Sequence, residues 1–149
     1  MGSLRAWKKV YENDLENIIH ELKDVISLPA VLILSGPVGA GKTTFTKYFV
    51  GKREEITSPT YALIQESGAI AHADFYRLKD SEELIHLELG LYLEGKDFFL
   101  VEWGKNFVRE LKRHVPEDFM YYEIDISINE PSEKNHFIES RNIQLNRLD

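Results

Sequence analysis

The 149-residue sequence predicts an α/β fold: three layers on a mixed, mainly parallel sheet, closed by a C-terminal β-hairpin. Three features predict it. Two short uninterrupted apolar runs, Val31–Ser35 and Phe98–Val101, have the pattern of strands buried on both faces. Amphipathic and capped helical segments alternate with those runs, as the layers of an α/β domain require. Late in the chain, a long alternating stretch is followed by a polar turn and another extended segment, the signature of a hairpin.

The elements follow in order. Leu15, Ile18, Ile19, Leu22, Val25 and Ile26 recur at helical spacing, so residues Asn13–Ser27 read as a helix packed by one face. After the strand Val31–Ser35 comes a glycine-rich turn, then a helix over Lys42–Val50 with Gly51 as its stop. Two extended stretches, Tyr61–Glu66 and Ala69–Asp74, flank Ser67-Gly68, a two-residue hairpin turn. Asp80 with Glu83 has capping-box spacing and opens a short helix reaching about Leu89. The strand Phe98–Val101 ends in Glu102, and Phe107, Val108 and Leu111 mark a helix that must stop before Pro116. Met120, Tyr122, Ile124, Ile126 and Ile128 alternate with polar or half-polar residues in one long half-buried strand. A turn over Glu130–Asn135 leads to a last strand near Phe137–Leu145.

No repeat, low-complexity tract or linker divides the chain, so residues 1–149 are expected to form one domain. Apolar residues make up 43% of the sequence, enough for a core without disulfides or structural metal. The absence of cysteine excludes thiol catalysis and cysteine-ligated zinc and suits a reducing compartment. No apolar stretch approaches the ~20 residues of a membrane span, and the first residues lack a signal-peptide core. A cytoplasmic location is the expectation. The net charge of −7 argues against a protein whose main task is gripping a phosphate backbone; any nucleic-acid role is more indirect.

Gly36-Pro37-Val38-Gly39-Ala40-Gly41-Lys42-Thr43 matches G-x-x-x-x-G-K-[ST] at every fixed position. The glycines let backbone N–H groups turn inward around phosphates, Lys42 reaches the β and γ phosphates, and Thr43 offers a hydroxyl to magnesium. The motif follows a buried strand and opens a helix, whose positive dipole end adds to the site. The expected domain is therefore of the P-loop NTPase-like kind. Hydrolysis needs a second anchor for magnesium. Glu102, at the carboxyl end of an apolar strand, is either that Walker B carboxylate or a solvated acid. Asp74 also ends a strand, and His72, Asp74 and Tyr76 share one face if the stretch is extended. His72 reads as a hydrogen-bonded structural histidine. Arg77 either stabilises phosphate charge or pairs with a carboxylate.

Several motifs coincide in order: GPVGAGKTT at Gly36–Thr44, TSPTY at Thr57–Tyr61, HADFYR at His72–Arg77, LGL at Leu89–Leu91 and VEW at Val101–Trp103. In that combination the chain resembles the TsaE family, the small P-loop ATPases of bacterial tRNA threonylcarbamoyladenosine biosynthesis. The similarity runs from about residue 13 to 128; the final hairpin contributes little. The resemblance implies that Lys42, Glu102 and Asp74 serve catalysis, with magnesium held by Thr43, Glu102 and Asp74. It implies a nucleotide site formed by the loop through Thr44, with Thr60, and with Tyr11 and Glu12 near the adenine. Ser58, Pro59 and Thr60 would form a switch-like segment near the γ-phosphate. Trp103, otherwise a core aromatic, would be functionally required beside Glu102.

The same resemblance implies ATP as substrate, magnesium as cofactor, and TsaD and TsaB as partners, with tRNA met only through their complex. Hydrolysis would reset that complex between turnovers. The chain departs from the family pattern at Pro37-Val38, where an acidic residue and leucine are usual, and at Gly104-Lys105, where proline often follows E-W. Neither change removes a group that touches phosphate or metal. The alternative is a small-molecule or nucleotide kinase of the P-loop class. Such kinases usually close an arginine-bearing lid over the phosphates, whereas the seven arginines here are scattered and no lid insertion is visible.

Overall fold

A computed structural model describes residues 2–51, 64–130 and 139–148. The chain begins with strand β1 (Gly2–Val10), a 3₁₀ turn over Glu12–Asp14 and helix α1 (Leu15–Val25). Strand β2 (Ala30–Ser35) leads through the glycine-rich turn into α2 (Lys42–Val50), followed by β3 (Ile64–Ser67) and β4 (Ile70–Asp74). Two short helices, α3 (Ser81–Ile85) and α4 (Leu89–Leu93), precede β5 (Phe98–Glu102). Helix α5 (Val108–His114) and strands β6 (Met120–Ile128) and β7 (Arg141–Leu148) complete it.

The strands form one seven-stranded sheet in the order β1-β7-β6-β2-β5-β4-β3. Its four central strands, β6, β2, β5 and β4, run parallel, and β7, β1 and β3 are added antiparallel at the flanks. Alternation along β2 explains the three layers. Ala30, Leu32 and Leu34 pack with Leu15, Ile18, Ile19 and Leu22 of α1 and Phe45 and Phe49 of α2. Val31 and Ile33 point the other way, against Leu84, Leu89, Leu93 and Leu111 of α3, α4 and α5. No helix among the described residues is long and apolar enough to cross a membrane.

Several boundaries differ from the sequence expectation, each for a physical reason. β1 was not predicted: its residues before Val10 are exposed or half-exposed and carry no alternation, and it exists by pairing with β7. The turn after β3 is Gly68-Ala69, with Ser67 paired to Ile70, one residue later than predicted. The Ala69 carbonyl accepts from the N–H groups of Asp97 and Phe98, which draws it out of the strand. The helix expected to run to Leu89 is capped by Asp80 as predicted, then breaks; Glu88, at φ 53, separates α3 from α4. Among the described residues the last strand runs over Arg141–Leu148, three residues past the expected Leu145; Phe137 and the predicted residues Tyr61–Leu63 lie outside the described residues. In β6 the supposedly outward Tyr121 and Glu123 are buried, because the α5 layer covers that half of the strand.

Gly104 follows β5 where a methyl group would come within 2.5 Å of Val101 Cγ1 and 3.3 Å of Ile33 Cδ1. Gly90, inside α4, has open space at the same position. Gly104→Ala is therefore expected to destabilise by about 1–3 kcal/mol through overpacking. Gly90→Ala is expected to be neutral or stabilising by about 0.4–1 kcal/mol. Urea unfolding of both variants checks the contrast, and equal midpoints would refute the packing argument.

Candidate functional site

The turn between β2 and α2 is shaped by glycine and closed on itself. Gly36 has φ 148, and a methyl group there would lie 2.4 Å from the Ile126 carbonyl oxygen, so only glycine fits against β6. The Ala40 N–H donates to the Pro37 carbonyl at 3.0 Å, and Gly41, at φ 105, leads directly into α2. The first helical residues are then Lys42 and Thr43, as the motif requires.

Lys42 is 6% exposed. Its Nζ donates to the Gly36 carbonyl at 2.6 Å and the Pro37 carbonyl at 3.1 Å. The ammonium also lies 4.0 Å from the Trp103 ring centroid, over the face of the indole. Burial pulls its pKa below the ordinary lysine value, while the charges of Glu102 and Asp74 oppose that shift.

Glu102, at the end of β5, is 3% exposed and still fully partnered. Thr43 Oγ1 donates to its Oε1 at 3.0 Å, and His72 Nε2 meets its Oε2 at 2.8 Å, which assigns the ring proton of that contact to Nε2. His72 and Asp74 lie on one face of β4, and Asp74 is the direct register partner of Glu102. Asp74 Oδ1 accepts the Tyr76 N–H at 3.0 Å. The Tyr76 ring lies 5.0 Å from that of Trp103. A cleft of about 530 Å³ opens among these groups, between the phosphate-type loop and the ends of β4 and β5.

Beside it, on the far side of the loop, lies a smaller pocket of about 190 Å³. Tyr11, Glu12, Thr44 and Phe45 help to line it, and the Tyr48 hydroxyl donates to Glu12 Oε2 at 3.0 Å. Arg141, from β7, borders the same pocket and donates to the carbonyls of Ala40 (2.8 Å) and Gly39 (3.2 Å).

The fold thus brings Lys42, Thr43, Asp74, Glu102 and Trp103 to one cleft, with Val38, Gly39, Gly41 and Thr44 in its wall. Arg77 is exposed and does not line it. Ser58, Pro59 and Thr60 lie outside the described residues. Sequence reasoning missed two contacts. His72 read as structural, and its partner proves to be Glu102; the only signal was its shared face with Asp74. Arg141 gave no signal, because its partners stand about a hundred positions away in the chain.

Removing the imidazole leaves a buried carboxylate oxygen without its donor, at a cost of about 1–3 kcal/mol or more for a charged group. His72→Leu should therefore destabilise by that amount, and His72→Gln, which keeps an N–H donor, should recover part of it. Urea unfolding in the native and Glu102→Leu backgrounds, the second lacking any acceptor for His72, checks this. An identical loss in both backgrounds would mean that the two side chains do not interact.

The family model described as "Threonylcarbamoyl adenosine biosynthesis protein TsaE" matches residues 10–140. The chain is 43% identical over 83 residues to the tRNA threonylcarbamoyladenosine biosynthesis protein TsaE of Bacillus subtilis, covering 50% of each chain. It is 41% identical over 83 residues to the protein of that name from Rickettsia conorii, covering 50% of this chain and 47% of the relative. Against the Haemophilus influenzae protein it is 32% identical over 122 residues, covering 77% of this chain and 68% of the relative. The chain spans about half the length of the first two relatives. The crystal structure of Bacillus subtilis YdiB is similar at a TM-score of 0.58 and 27% identity, covering 97% of this chain and 86% of that one.

Proposed function

The chain belongs to the TsaE family, and from that premise we propose that it is an ATP-binding and ATP-hydrolysing subunit in tRNA threonylcarbamoyladenosine modification. The observation that carries the reading is the Thr43–Glu102 contact of 3.0 Å, beside a buried Lys42 at the head of α2. A loop lysine, a hydroxyl and a strand-end carboxylate at that spacing are the parts that phosphoryl chemistry needs.

The loop N–H groups and Lys42 bind the phosphates, and the smaller pocket beside Tyr11 and Glu12 receives the nucleobase. The donor set fits magnesium: Thr43 and Glu102 offer hard oxygen ligands, and Asp74 adds charge next to them. Among the described residues no three His, Cys, Asp or Glu side chains form a metal cluster. When bound, magnesium offsets charge on the phosphate oxygens. His72 holds one oxygen of Glu102, leaving the other toward Thr43 and the cleft. Trp103 covers one side of the Lys42 ammonium, which strengthens its pull on phosphate by excluding water there.

The activity serves a complex of TsaD and TsaB, and hydrolysis resets that complex between rounds of tRNA modification. The net charge of −7 suits a subunit that docks on a protein partner and leaves tRNA contact to it.

Lys42→Ala is expected to weaken ATP binding at least about tenfold and to abolish turnover in a folded protein. Glu102→Gln and Asp74→Asn should bind ATP and lose most hydrolysis, alone and with the TsaB–TsaD pair. Thr43→Ala should blunt the dependence of nucleotide affinity on magnesium more than the affinity itself. Calorimetry and a phosphate-release assay check these. Full partner-stimulated hydrolysis by Glu102→Gln would refute the Walker B role.

A further inference from the structure

Four carbonyl groups of the phosphate-type loop are gripped by two cations. Lys42 takes those of Gly36 and Pro37. Arg141 takes those of Gly39, at 3.2 Å from Nη2, and Ala40, at 2.8 Å from Nε. The two grips differ in permanence. Lys42 is a single ammonium on a flexible stem, and the proposed function requires it to leave the carbonyls for phosphate. Arg141 is a planar fork with two donors set at fixed spacing on a paired strand. It is only 24% exposed, and its remaining contacts, the Ser140 carbonyl at 3.3 Å and Glu139 Oε2 at 3.5 Å, hold it on the loop side.

Each peptide unit points its N–H opposite to its carbonyl. Fixing the carbonyls of Gly39 and Ala40 on the β7 side therefore aims the N–H groups of Ala40 and Gly41 away from it. The Ala40 N–H is already committed to the Pro37 carbonyl, which sets the turn, and the Gly41 N–H is next to the start of α2. A loop held in this way loses less freedom when a ligand orders it.

We infer that Arg141 is a positioning residue: its guanidinium braces the Gly39 and Ala40 carbonyls and so preorganises the loop for the phosphate chain of a nucleoside triphosphate. The brace itself stands on geometry; its consequence for affinity rests on the proposed ATP-binding function. It gives β7 and the C-terminal hairpin a task beyond widening the sheet, and it ties the loop to the wall of the nucleobase pocket, which Arg141 also borders.

The test compares Arg141→Met and Arg141→Lys with the unsubstituted protein in two measurements. The first is hydrogen exchange of the Ala40 amide without nucleotide. The second is ATP affinity by calorimetry, with KM and kcat where turnover is measurable. Arg141→Met should speed Ala40 exchange about tenfold while the amides of Phe45–Phe49 in α2 keep their protection. ATP affinity should fall about tenfold, with KM raised and kcat little changed. Arg141→Lys, able to hold one carbonyl at a time, should fall between. Unchanged Ala40 exchange in Arg141→Met overturns the brace, and a drop in affinity alongside unchanged exchange would make Arg141 a direct ligand instead. If Arg141→Met does not fold, Arg141→Lys decides alone, since native exchange and affinity there would overturn the need for a two-donor fork. If the unsubstituted protein binds no ATP, the proposed function fails while the exchange comparison still decides the brace.

Discussion

A carboxylate buried at the mouth of a parallel sheet sets the terms for everything around it. Glu102 is 3% exposed, and an ion so placed costs several kcal/mol unless donors surround it. Its donors come from two different elements: Thr43 from the first turn of α2 and His72 from β4. Both contacts need hydrogen-bond reach, so β4, β5 and α2 are fixed to one another at their functional ends. The register does the rest. Glu102 stands opposite Leu34 of β2 and Asp74 of β4, which places the start of the glycine-rich turn beside both acids. The loop is therefore anchored at its start by the sheet and at its end by a helix that the same carboxylate holds.

What the sequence made legible was what is encoded locally. The loop motif, the helix Lys42–Val50 with its Gly51 stop, and the strands around Ile33 and Leu100 were readable because glycine placement and unbroken apolar runs are short-range signals. The Asp80 cap was readable for the same reason; its side chain accepts the Glu83 N–H at 3.2 Å. Features set by distant partners were not. β1 depends on β7, the break at Glu88 interrupts a segment with good helical spacing, and Glu123 is buried on the polar face of an alternating strand. At the site, Lys42 and Thr43 followed from the motif, position left Glu102 and Asp74 open, and the family resemblance gave those two acids their roles and added Tyr11, Glu12 and Trp103. Neither source reached the partner of His72 or the brace from Arg141, because both are tertiary contacts between residues with unremarkable sequence neighbours.

Family membership and geometry bear on different questions. The family match spans residues 10–140, whereas some curated relatives are matched over only about half their length. The loop and the strand-end acids lie within the matched residues, so family and local geometry point at the same groups. β1, by contrast, falls almost wholly before the match, and it closes the sheet edge next to β7. Its last residue, Val10, pairs with Arg141, so this poorly patterned strand backs the residue that grips the loop.

The most strained residue of the cleft explains its shape. Trp103 has φ 61, a left-handed conformation that costs a bulky residue on the order of 1–3 kcal/mol. Along β5 successive side chains alternate, so a straight continuation after Glu102 would send Trp103 to the α3–α5 face. The indole packs against that face and also reaches Lys42, so it lines the cleft together with Glu102. The left-handed turn thus stands where two consecutive residues, Glu102 and Trp103, line one cleft. Three contacts surround that turn: the ammonium of Lys42, the ring of Tyr76, and the Phe75 N–H, which donates to the Glu102 carbonyl at 2.9 Å. The residues after it fit the same demand. Gly104 passes so close to Val101 and Ile33 that a side chain there would have to displace them, and Lys105 pairs with Glu123 of β6 at 3.0 Å. The Gly104-Lys105 departure from the family pattern is therefore compatible with an intact cleft, because the turn is secured by packing on one side and an ion pair on the other.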